Sequence, residues 1–289
     1  MIPNTNDGSN TPPRLAPFMN MGTMMDLPPD SGAPTGEGAE LLRGLREADY
    51  EGAQSANPEH CREAGIKAAA FVRADKPGEL LPKAEKAKAE GNVCLTLHCG
   101  RGFESDAEAV AICEDIVAVS QQLSFPIYLE THRATITQDP WRTLQFIKEV
   151  PDIRINGDFS HWYTGLELPY GGIDWKLDLL EPVFDRVRFM HGRIGDASNM
   201  QVAVQADGTA DHLVHFREMW TRAMAGFLRN AAGGDYLVFA PELLPPRSLY
   251  ARVFETAPGQ FREESNRWQQ ASVYTQIARE CFAEAEKRT

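Results

Sequence analysis

Eight short apolar runs, each followed by a longer stretch of helical periodicity, constrain this chain more than any other feature. The runs span 18–21, 52–55, 66–72, 93–98, 127–130, 153–158, 188–193 and 237–242, with helical patterns over 38–48, 58–64, 78–90, 105–122, 139–149, 174–185, 212–231 and 263–287. In the segment 106–123, Val110, Cys113 and Val117 recur at helical spacing, and Asp106 and Glu108 fall in the first turn, where the helix dipole favours negative charge. Regular strand–helix alternation means parallel strands joined by crossover helices, and eight such units close a barrel. The expected fold is therefore α/β, a single (β/α)8 TIM barrel over 15–289, preceded by a flexible N-terminal arm over 1–14 that is rich in Asn, Thr and Pro. An open doubly wound sheet would usually carry a glycine-rich dinucleotide loop after its first strand, and the segment NMGTMMDLPPDSG there does not match one.

Composition narrows the functional classes. The formal charge is −12, from 29 Lys and Arg against 41 Asp and Glu, so the broad basic footprint of a nucleic-acid binder is missing. A local positive pocket for a small anion stays open. No apolar run approaches the roughly 18 residues of a membrane span, and the N-terminus lacks the pattern of a secretory signal. Five cysteines, with no CxxC pair, read as free thiols in a reducing compartment, which makes a cytoplasmic protein the expectation. The amphipathic last segment, with Trp268, Val273, Ile277 and Cys281, could support a homodimer.

The polar residues at the strand ends carry the chemistry. The fifth run, IYLETH, places Tyr128, Glu130 and His132 on one face. The sixth ends at Asp158, with His161 three residues on; the seventh holds His191 and Arg193 on one face; the eighth ends at Glu242. In a closed parallel barrel these ends meet at one rim. Three partly buried carboxylates would repel there and take up protons, whereas a divalent cation would use their charge. Glu130, Asp158, His191 and Glu242 form a mostly hard oxygen set that favours Mn²⁺ and would accept Mg²⁺, Co²⁺ or Zn²⁺. His161 could orient Asp158 or touch substrate, and Arg193 could pair with a surplus acid or bind an oxyanion through its planar fork. His98 shares the parity of Cys94 and Thr96 and should point into the barrel mouth, as a satisfied core histidine or a substrate contact. His132 could make a loop hydrogen bond or touch substrate. Trp162 and Tyr163 could supply an apolar wall against a sugar ring.

These residues also carry a resemblance. Glu130 in LETH, the run Asp158-Phe-Ser-His161, the run His191-Gly-Arg193 and Glu242 in APELL resemble the xylose isomerase-like TIM-barrel superfamily. Within it, the chain is similar to sugar and sugar-phosphate isomerases and epimerases of the tagatose 3-epimerase type, from about the fourth strand onward. The resemblance implies one metal ion held by Glu130, Asp158, His191 and Glu242. It also implies substrate oxygens met by His161 and Arg193, and acid/base work by the two glutamates. Endonuclease IV shares the D-x-x-H run, and His98 resembles one of its extra ligands. That family needs a D-x-H triplet after the seventh-strand histidine, and here Asp211 and His212 are adjacent.

The expected activity is isomerisation or epimerisation of a sugar or sugar-like polyol, by proton transfer through an enediolate that the metal stabilises. The same equipment would serve a dehydratase of the inosose or dehydroshikimate type, and a non-catalytic carbohydrate-binding barrel is the alternative from a different class. The segment GDASNMQ after the seventh strand is a weak phosphate loop, which favours a free sugar.

Overall fold

In the computed structural model, which describes residues 1–289, eight parallel strands close into one barrel in sequence order. They are β1 (Arg14–Asn20), β2 (Gly52–Gln54), β3 (Lys67–Arg73), β4 (Cys94–His98), β5 (Ile127–Glu130), β6 (Ile155–Gly157), β7 (Val187–Gly192) and β8 (Tyr236–Pro241). The ring closes where β1 pairs with β8, from Arg14 opposite Tyr236 to Pro17 opposite Phe239. Each of the eight strands overlaps one apolar run, because strands buried on both faces read as near-continuous hydrophobic stretches, although β1 begins at Arg14, inside the expected arm, rather than at 18.

The helices form by local chemistry that the sequence displays. Asn57 caps the helix Pro58–Ala64, Ser105 and Glu108 build a capping box on Asp106–Leu123, and Asp139 caps Pro140–Glu149. The long helices Asp211–Leu228 and Arg267–Arg288 pack side by side, with Trp220 of the first between Phe239 and Tyr274. Ala271, Tyr274, Ile277, Ala278, Cys281 and Ala285 are buried in this way. The apolar face of the last helix is thus covered inside the chain.

Three local expectations need correction. The pattern over 174–185 divides into Asp174–Leu179 and Glu181–Phe184, because Pro182 cannot donate a helical hydrogen bond. The helical pattern over 263–287 starts only at Arg267, because residue 263 ends an antiparallel hairpin, β9 (Val253–Ala257) and β10 (Gln260–Glu263), turned at Pro258-Gly259 with Gly259 at φ 73°. That proline–glycine pair was the legible turn signal.

The third correction concerns the N-terminus, where residues 2–6 are docked against the bottom of the barrel. Ile2 is 1% exposed. The Tyr128 hydroxyl donates to the Pro3 carbonyl at 3.2 Å, Arg188 Nε donates to Asn4 Oδ1 at 2.8 Å, and Asn4 and Asn6 both donate to Asp235. A polar segment can order when its side chains satisfy buried groups at the closed end of a barrel, and composition does not reveal that. Ile2→Ala is therefore expected to lower the stability by about 2 kcal/mol or more, read as a denaturation midpoint. A mobile arm would leave it unchanged.

Candidate metal centre

Each of the four strand-end groups reaches the barrel mouth for a local reason. Glu130 is the last residue of β5 and follows inward-facing Tyr128 at strand parity. Asp158 directly follows β6 and opens the short helix Ser160–Gly165. One of its oxygens, Oδ1, accepts the Ser160 backbone N–H at 3.1 Å and the Ser160 hydroxyl at 2.5 Å. Both contacts to Ser160 use the same oxygen, and the other, Oδ2, is buried with no hydrogen-bond partner. His191 lies in β7 next to outward-facing Gly192, where any side chain would strike the Phe239 ring. Glu242 follows β8, and its backbone N–H donates to the Gly192 carbonyl at 3.0 Å.

Ligand atoms of Glu130, Asp158, His191 and Glu242 all lie within 4.8 Å of one another. Two ligands at about 2.1–2.2 Å from a shared ion are at most roughly 4.4 Å apart, so the four need to contract only slightly to hold one cation. The imidazole is oriented for this: His191 Nε2 donates to Gln54 Oε1 at 2.8 Å, which turns Nδ1 toward Glu130 at 3.3 Å and Glu242 at 3.5 Å. The unpartnered Asp158 oxygen, the oriented imidazole and the three carboxylates fit a divalent cation.

The electrostatics describe the same pressure. Burial pushes the Asp158 carboxyl up to about 6; Arg193 opposes this, while the charges of Glu242 and Glu130 add to it. Burial would also raise Glu130, but His191 and His98 override it and hold that carboxyl well below the usual range. Burial lowers the His191 pKa, but Glu242 and Glu130 more than compensate and lift it to about 9. The imidazolium and the Arg193 guanidinium, which contacts Glu242 and lies 3.5 Å from Asp158, supply the local positive charge. A bound divalent cation would take over the part played by the His191 proton.

Around the four lies a polar ring that sequence reading missed. Asn20 at the end of β1 donates to Glu242 at 3.1 Å and to Gln54 at 2.9 Å; Gln54 donates to Thr96 at 2.7 Å; Asn156 of β6 donates to Glu130 at 3.1 Å. Their only sequence signal was an uncharged polar residue at an inward strand position, which is easily lost beside carboxylates.

His98 points into the mouth as its parity indicates, with Nε2 at 3.1 Å from Glu130 Oε1 but not in hydrogen-bonding geometry. His132 lies between His98 and His161, with ring centroids 4.0 and 3.8 Å away, and its Nδ1 contacts the Arg133 carbonyl. Burial, with His98 beside it, takes His132 down to about 4. His161 is also driven well down, by burial and then by His132 and Arg193. Its ring is buried with both nitrogens unpartnered, Nε2 lying 3.5 Å from Asp158 Oδ2. The outcome is a row of imidazoles along one side of the site. Cys99 is buried and its thiol is pushed well up by that burial, consistent with an inert residue.

Trp162 and Tyr163 do not face the mouth. Trp162 is 1% exposed, packs against Phe159 and donates its indole N–H to the Thr137 carbonyl at 2.8 Å, while the Tyr163 hydroxyl pairs with His215. Because Asp158 is followed at once by a helix, these two side chains turn into the wall behind the site. The aromatic groups at the mouth are Phe71 of β3, 40% exposed and edge-on to His98 at 4.7 Å, and Tyr250, which stacks on Arg193. Replacing Gln54 with Leu, which leaves His191 Nε2 without its acceptor, is expected to weaken Mn²⁺ binding about 10- to 100-fold in a calorimetric titration.

No family model and no curated protein matches the chain. Solved structures do. A probable 3-DHS dehydratase of petrobactin synthesis from Bacillus anthracis is 14% identical, with a TM-score of 0.54 over 81% of this chain and 94% of that one. A xylose isomerase domain protein from Planctomyces limnophilus is 18% identical, with a TM-score of 0.53 over 96% and 98%. A xylose isomerase-like TIM barrel protein from Mycobacterium smegmatis, solved with magnesium, is 13% identical, with a TM-score of 0.51 over 93% and 97%. At such identities the likeness is one of fold alone: this chain is a (β/α)8 TIM barrel, similar in architecture to these xylose isomerase-like structures.

Proposed function

We propose that this chain is a divalent-metal-dependent isomerase or epimerase acting on a sugar or sugar-like polyol. The observation that carries this reading is the convergence of Glu130, Asp158, His191 and Glu242 from four strand ends, with one Asp158 oxygen buried and unpartnered. These four would hold the cation, which when bound polarises a carbonyl and stabilises negative charge developing on its oxygen. Mn²⁺ is favoured by the donor set; a structure of the same architecture was solved with magnesium.

The chain's own groups then account for proton transfer. Glu130 and Glu242 approach from β5 and β8 and are steadied by Asn156 and Asn20, so one can remove a proton from the carbon beside the carbonyl while the other stands across from it. Return of the proton from the opposite side inverts that carbon; return to the neighbouring carbon moves the carbonyl. His161, with both ring nitrogens unpartnered, would hydrogen-bond a substrate hydroxyl, and Arg193 would hold an oxygen through its unpartnered Nη1. His98 and His132 line the same side, and Phe71 replaces Trp162 as the apolar surface for the sugar ring.

The imidazole row favours one second reading. The glutamate that has taken the carbon-bound proton could return it to a departing hydroxyl, released as water with the neutral imidazole N–H groups of the row hydrogen-bonding it, which would make the reaction a dehydration of a keto-polyol.

Incubation of the Mn²⁺-loaded protein with ketoses and keto-polyols in deuterated water tests both. Solvent deuterium at a substrate carbon without loss of water supports the isomerase; formation of an enone supports the dehydratase. No Mn²⁺ stabilisation in a melting experiment, with no exchange, would leave a carbohydrate-binding barrel. Glu130→Gln and Glu242→Gln are each expected to lower kcat by about 10²- to 10⁴-fold while the circular dichroism spectrum is kept.

A further inference from the structure

Resting on that reading, we propose that Arg133 and Arg193 form a subsite for an anionic group, a carboxylate or a phosphate, carried by the substrate. Both guanidiniums lie against the ring of Tyr250, with their central carbons 4.6 and 4.5 Å from its centroid. An aromatic face carries only a partial negative charge, so it holds two cations without neutralising them. Arg193 is buried. Its Nε donates to the Glu242 carbonyl, its Nη2 faces Glu242 and Asp158, and its Nη1 has no acceptor at all. Arg133 is exposed at the mouth and has no carboxylate partner and no side-chain hydrogen bond. Exposed arginines without a partner occur elsewhere in this chain; what sets Arg133 apart is that it shares one aromatic ring with a buried arginine that keeps a free N–H. An anion arriving from solvent would be fixed between the two arginines, near the unpartnered His161 ring.

This defines the substrate class more narrowly: an acidic keto-polyol or a sugar phosphate. The anion at one end would set which carbons stand beside Glu130 and Glu242. Tyr250, on the connection between β8 and the hairpin, acts as the positioning residue that aligns both guanidiniums.

Three inert compounds of one skeleton serve as probes: D-glucitol, D-gluconate and D-glucitol 6-phosphate. Calorimetry on the Mn²⁺-loaded protein is expected to show at least one of the two anions binding about tenfold or more tighter than D-glucitol, the value of one charge-assisted contact. A preference for gluconate identifies a carboxylate, and one for the 6-phosphate a phosphate. Arg133→Gln is expected to bring the preferred anion to within about twofold of D-glucitol while leaving the Mn²⁺ affinity unchanged. Equal binding of all three, including no binding of any, overturns the subsite, as does a preference that survives Arg133→Gln. A parallel Mn²⁺ titration separates the two ideas: loss of the anion preference with normal Mn²⁺ binding sinks only the subsite, and absent Mn²⁺ binding sinks the metal reading.

Discussion

Three carboxylates gathered in the closed mouth of a barrel repel one another, and the rest of the site is arranged around that repulsion. Water would screen it, but Glu130 and Asp158 are buried. The protein answers with the His191 imidazolium and the Arg193 guanidinium, and with amide donors from Asn20 and Asn156. The charge is still not fully met, as Asp158 shows by its raised pKa and its unpartnered oxygen. Such a cluster is costly to a fold on its own account, which is the physical reason to read it as a site for a divalent cation.

Barrel closure and site geometry are the same construction. The ring Asn20–Gln54–Thr96 joins β1, β2 and β4, and Gln54 also holds the His191 imidazole from β7. A shift in register of any of these strands by one residue would turn its polar end residue from the mouth to the helix side. The strand pairings therefore hold the side-chain ends of Glu130, Asp158, His191 and Glu242 within 4.8 Å of one another. The docked N-terminal segment closes the other end through Tyr128, two residues before Glu130 on the same strand face.

Legibility followed the range of the interaction. Strands, helices and the four strand-end groups were readable, because alternation, helical spacing and charge are written in adjacent residues. The hairpin over 253–263 is written in the sequence only as its Pro258-Gly259 turn, since its strands are short and mostly exposed and carry no burial pattern. Trp162 and Tyr163 lie beside His161 in sequence, yet one turn of helix sends them into the wall. Phe71 of β3 and Tyr250, on the connection after β8, take the place at the mouth from positions far away along the chain.

Sequence by itself determined the eightfold strand–helix alternation, and with it a barrel whose C-terminal rim carries Glu130, Asp158, His191 and Glu242. That much depends on periodicity and on which residue ends each strand, and both are local. Only the tertiary structure decided that one Asp158 oxygen is left without a partner, that three histidines stack in a row, that Arg133 and Arg193 share one aromatic ring, and that the first residues plug the barrel floor. Those facts depend on distances between segments that closure of the barrel brings together, and no pattern of neighbouring residues encodes them.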